Sequence, residues 1–101
     1  MAYKIIVKKR FTRKVVKLLN YLETEWNEKV AQDFNKKLDK QIERISVHPF
    51  SGITIKNFSN VRSVLITKHN RLYYRIKEDT IEIMNMYDTR MNPKKNPYKL
   101  K

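Results

Sequence analysis

Apolar residues follow a helical period from Val15 to Ile45 and alternate with polar ones after Val61. Val15, Leu18, Leu19, Leu22 and Trp26 fall on one face of an amphipathic helix, and Thr12 has the right chemistry to cap its start. Asn27 offers a break and a second cap. Val30, Ala31, Phe34, Leu38, Ile42 and Ile45 then form a second stripe that stops before Pro49, which cannot continue a helix. With almost nothing between them, the two helices are predicted to pair as an antiparallel hairpin. Residues 3–8, short and β-branched, suit a strand. Residues 48–60 (HPFSGITIKNFSN) form the main loop and hold the chain's one glycine, Gly52. Period-2 patterning then predicts three strands over 61–68, 71–77 and 80–88, with turns at His69-Asn70 and Glu78-Asp79.

The resulting order is β-α-α-β-β-β. This is an α+β fold in which a helical hairpin packs on a mainly antiparallel four-stranded sheet. One domain spans 1–101, with a basic irregular tail from about 89 to 101. Leu18, Leu22, Phe34, Leu38, Leu65, Leu72, Tyr74 and Ile76 are the expected core. In the middle strand of the meander Leu72, Tyr74 and Ile76 share the face toward the helices. Arg71, Tyr73, Arg75 and Lys77 share the other, which is expected to present cations and an aromatic ring.

Charge sharpens this outline. The 101 residues carry 23 Lys and Arg against 10 acidic residues, a net charge of +13. The excess sits at the two ends: residues 1–17 hold seven basic and no acidic side chains, and residues 89–101 hold five basic and none acidic. If the fold brings the ends together they form one patch, a footprint for phosphates or for an acidic protein. An apolar and aromatic content of this size excludes a disordered basic tail. The absence of cysteine excludes a disulfide framework, a thiolate zinc site and a cysteine nucleophile. No signal-peptide pattern and no run of about 18 apolar residues occurs, so a cytoplasmic protein is expected.

Few catalytic motifs are available. One glycine cannot build a phosphate-cradling loop. His48 and His69 lack the spaced partners of a metal site, so neither a metal nor another cofactor is expected. One constellation remains: Arg62, Lys68, Arg71, Tyr73, Arg75 and Arg90, on or beside the sheet. Guanidinium groups grip phosphate bidentately and stabilise charge developing at a scissile phosphodiester, while tyrosines stack on bases. The same alternation of Arg and Tyr also suits a plain solvent-facing sheet surface, and spacing leaves both readings open.

Residues 61–93, VRSVLITKHNRLYYRIKEDTIEIMNMYDTRMNP, together with the opening strand, the helical hairpin and the HPFSG element at 48–52, resemble the RelE/ParE toxins of bacterial type II toxin–antitoxin (plasmid stabilisation) systems. The resemblance implies a growth-arresting toxin held inactive by a cognate acidic antitoxin, with no membrane involved. RelE-like members are endoribonucleases that cut messenger RNA on the ribosome; ParE-like members poison DNA gyrase without nuclease chemistry. The expectation leans to the RelE type. On that reading Arg71 matches the arginine that contacts phosphate, and Arg90 falls near the arginine proposed as general acid. Arg62 takes the place of the first of two strand lysines, and Tyr98 that of a C-terminal tyrosine that stacks on RNA. Lys68, Tyr73 and Arg75 would bind substrate. The second lysine, linked to the general base, is replaced by Val64, and an aliphatic side chain cannot take a proton. A basic RNA-binding module without toxicity is the further alternative.

Overall fold

The computed structural model describes residues 2–98. Its elements are β1 (Lys4–Val7), α1 (Lys9–Glu25), α2 (Glu28–Val47), β2 (Ile53–Thr54), β3 (Val61–Thr67), β4 (Asn70–Lys77) and β5 (Thr80–Asp88), with single 3-10 turns at Pro49–Ser51 and Pro93–Lys95. The strands form one sheet in the order β1-β5-β4-β3-β2. β3, β4 and β5 are the expected antiparallel meander, and β1 lies parallel to β5. A two-residue fifth strand, β2, pairs with the start of β3 inside the predicted loop. It was invisible to patterning because two residues show no period.

α1 begins about one turn earlier than Thr12 implies, with Lys8 at the N-cap and no side-chain cap. The Thr12 hydroxyl donates back to the Lys8 carbonyl from within the first turn. Asn27 does cap α2, its side chain accepting from the Val30 amide at 2.9 Å. Phe11, Val15, Phe34, Leu38 and Ile45 line the inner faces of the helices and pack on Leu72, Tyr74, Ile76, Ile81, Ile83 and Met86 of the sheet. Each such buried aliphatic side chain contributes roughly 1.5–3 kcal/mol. Leu18 and Leu22, expected inside, are half-buried at the margin of this core. No helix among the described residues is long and apolar enough to cross a membrane.

Two residues depart from expectation in ways that bear on the site. Leu65, expected in the core, is 41% exposed, and Val64 packs on the core instead. Tyr73, expected to present its ring, is 1% exposed. The first follows from the β3–β4 register and the second from the path of the tail.

Candidate functional site at the open face of the sheet

Cross-strand partners share a face. Arg62 pairs with Tyr74 and Val64 with Leu72, whereas Ser63 pairs with Tyr73 and Leu65 with Arg71. Tyr74 and Leu72 face the helices, so Arg62 and Val64 stand on the helix side. Arg71, Tyr73 and Arg75 stand on the open side, where β5 adds Tyr87, Asn85 and Glu82. The six residues of the expected constellation therefore divide between the two faces and the sheet's end.

Arg62 works as a loop clamp. Its Nη1 donates to the Phe50 carbonyl at 3.0 Å and the Gly52 carbonyl at 2.9 Å, and its guanidinium lies 5.2 Å from the Phe50 ring centre. The same loop is held from below by Tyr74, whose buried hydroxyl donates to the Pro49 carbonyl at 2.6 Å; burial pushes the Tyr74 phenol pKa upward. Glycine is required at 52, since a Cβ there would press on the Tyr74 hydroxyl and lie 2.9 Å from the Ser63 carbonyl.

On the open side Arg71 donates to the Ser63 hydroxyl at 2.9 Å. Arg90 lies beyond the end of β5 in a bidentate ion pair, with Nε 3.0 Å and Nη2 2.7 Å from the two Asp88 oxygens. That pairing with the Arg90 guanidinium lowers the Asp88 carboxyl to about 2. Lys68 is exposed in the β3–β4 turn, its carbonyl accepting from the Thr89 hydroxyl.

The tail crosses the open face. Asn96, itself buried, donates to the Tyr73 hydroxyl at 3.2 Å and accepts from the Tyr98 amide at 3.0 Å. This turn lays the Tyr98 ring on Tyr73, with centroids 4.6 Å apart and planes at 18°, and against Phe58 at 5.0 Å. Burial, then the neighbouring Tyr87, raises the Tyr98 pKa. Tyr98 and Tyr73 thus lie together, each ring covering the other. The last three residues of the predicted tail lie outside the described ones.

Arg75 and Lys77 were expected on this face, whereas Lys8, Arg10 and Lys14, which border it from the N-terminal segment, carried no motif in the sequence. Lys8, Arg10, Arg75, Lys77, Glu82 and Tyr98 frame a cleft of about 400 Å³. Glu82 lies 3.6 Å from the Lys8 ammonium and 3.8 Å from the Arg75 guanidinium, one carboxylate between two cations. Lys14 sits 3.6 Å above the Tyr87 ring and donates to the Met86 carbonyl at 3.0 Å, at the edge of β5 left open beyond β1. Burial and the adjacent Arg10 charge lower its pKa. The one-turn spacing of Arg10, Lys14 and Lys17 was the available signal. The basic N-terminal segment and the tail do meet here, through Arg10 and Tyr98.

A family model described as the ParE toxin of the type II toxin–antitoxin system parDE matches residues 5–93. Among curated proteins none matches at the sequence level. Among solved structures, the chromosomal ParDE toxin–antitoxin system from P. aeruginosa aligns with a TM-score of 0.72 at 11% identity, covering 86% of this chain and 96% of that one. The isolated E. coli RelE toxin aligns at 0.62 and 14% identity, covering 90% and 88%. The YoeB dimer from Staphylococcus aureus aligns at 0.58 and 15%, covering 86% and 97%. At these identities the likeness is one of fold.

Proposed function

The chain belongs to the ParE toxin family of type II toxin–antitoxin systems, and from that premise we propose that it arrests growth by binding and stalling DNA gyrase, without cutting RNA. The observation that carries this reading is the dispersal of the groups that RNA cleavage would need. Metal-independent cleavage of a phosphodiester calls for cations converging on the phosphorane, a base for the 2′-hydroxyl and an acid for the leaving oxygen. Arg62 is turned to the helix side and occupied by two carbonyls. Arg90 is neutralised by Asp88, and an arginine so paired is a poorer proton donor than a free one. Val64, in the position of the second lysine, packs on the core. The tyrosines that would stack on bases stack on one another. A toxin that acts by occupancy needs none of these.

The cognate partner in the resting state is an acidic antitoxin, whose encounter with a chain of net charge +13 is steered by charge. One observation favours the ribosome-dependent nuclease as a second reading: Arg71 and Arg75 remain on the same face as the Tyr73–Tyr98 stack. Two assays on the purified toxin decide between them. Gyrase supercoiling should stop at near-stoichiometric toxin while ribosome-bound messenger stays intact. Cleaved messenger with normal supercoiling would overturn the proposal in favour of the second reading.

A further inference from the structure

The outward flank of α1 continues the positive rim of the open-face cleft, and no part of the function above has used it. Arg10, Arg13 and Lys17 are exposed at i, i+3 and i+7, a ridge about 10 Å long. Lys14 lies between them, half-buried and anchored on the Met86 carbonyl and the Tyr87 ring, which seats the ridge against the edge of β5. Arg75 and Lys77 form a second row across the cleft from Arg10. The carboxylate within the cleft, Glu82, is shared by Lys8 and Arg75, leaving the rim strongly positive.

We infer that this α1 ridge is a contact surface for the phosphate backbone of double-stranded DNA. The choice of DNA rests on the gyrase reading, because that target works on a duplex; the choice of a backbone, and of a duplex, rests on the surface. A ridge of one sign along a straight helix matches an evenly charged polymer, and a duplex presents about six charges over 10 Å of its axis. Single strands are held largely by stacking bases on open aromatic rings. Here Tyr73 lies beneath Tyr98 and Tyr87 beneath the Lys14 ammonium, so the rings are already occupied. Sequence-independent binding to the backbone is what remains, and it would let the toxin grip the DNA segment and the enzyme together.

The test is fluorescence anisotropy of a labelled 20-base-pair duplex titrated with full-length toxin across a salt series. The wild type should bind, and the triple variant Arg10→Gln, Arg13→Gln, Lys17→Gln should bind roughly 10- to 100-fold more weakly at low salt. Its slope of log affinity against log salt should be shallower by about 2 to 3, near one for each phosphate that the variant no longer neutralises. A control triple on the exposed side of α2, Lys29→Gln, Lys36→Gln, Lys40→Gln, removes the same charge and should stay within about threefold of wild type. The inference is overturned if both triples lose affinity equally, if the α1 triple binds as wild type, or if duplex RNA or single-stranded DNA binds more tightly than duplex DNA. Supercoiling is measured in parallel. A wild type that stops gyrase but binds no duplex removes this inference alone, and one that binds duplex but leaves gyrase active removes the gyrase reading alone.

Discussion

Replacing Arg62 separates a structural clamp from a group that acts on a target. Its guanidinium makes two charge-assisted hydrogen bonds, at 3.0 and 2.9 Å, to carbonyls of the 49–52 segment. Such bonds contribute about 1.5–3 kcal/mol each when sheltered. Arg62 is half-exposed, and the Phe50 carbonyl rehydrates when freed, so about 2 kcal/mol for the pair is the reasonable sum. In a domain of this length that lowers the melting temperature by roughly 8–16 °C, and the urea midpoint by about 1 M. Arg62→Met keeps the apolar stem and removes the donors. Arg62→Lys offers a compact ammonium in place of the planar fork and should recover less than half of the loss. Unfolding is best followed by far-UV circular dichroism, because Trp26 is 67% exposed and reports weakly on the core. Gyrase inhibition by Arg62→Met, assayed well below its melting temperature, should match the wild type. An unchanged urea midpoint together with lost inhibition would refute the clamp and return Arg62 to the functional surface.

Two further outcomes follow from the same geometry. Val64→Lys should not create a nuclease, because the side chain points to the helix side; it should instead destabilise the fold by roughly 1–3 kcal/mol, and messenger cleavage by this variant on the ribosome would show the face assignment to be wrong. Asp88 titrates lower in the folded chain, about 2 against an ordinary 3.8, so the stability it adds is complete above pH 4 and lost as pH falls through 4 toward 2. Asp88→Asn should therefore remove part of the acid-side pH dependence of unfolding between those values, and an unchanged pH profile would sink the pairing with Arg90.

Much of the frame was legible because it rests on local chemistry. The two helices, the Asn27 cap, the stop before Pro49 and the three meander strands all follow from period and from capping residues. What escaped depends on contacts between distant segments. Tyr73 and Tyr74 are neighbours on opposite faces of β4, and both are fully buried, Tyr74 under the helices and Tyr73 under a tail some 25 residues further on. Alternation marks the face away from the helices as solvent-facing, and nothing local in a stretch reading MNPKKNPY announces that Asn96 will fasten it across that face. The ridge on α1 escaped for another reason. Its cations are ordinary on a solvated helix until Lys14 and Arg10 are seen beside the rings of Tyr87 and Tyr98.

The placement of Arg62, Val64 and Leu65 turns on one irregularity. The β3–β4 turn is tight, with Thr67 opposite Asn70. Counted back from that pair in regular register, Leu65 would oppose Leu72 in the core, and Arg62 would oppose Arg75 on the open face. This is the arrangement patterning favours, and it would gather the cations as a nuclease requires. Between Leu65 and Thr67 the register shifts by one residue, so Val64 opposes Leu72 and Arg62 opposes Tyr74 instead. Because side chains alternate, a slip of one exchanges the faces of everything beyond it. Leu65 is turned outward, which accounts for its exposure. Val64 turns inward onto the core. Arg62 lands beside the 49–52 segment, where carbonyls at Phe50 and Gly52 receive it. A single bulge, silent in the hydropathy pattern, thus decides which arginines face one another, and with them which chemistry the open face can support.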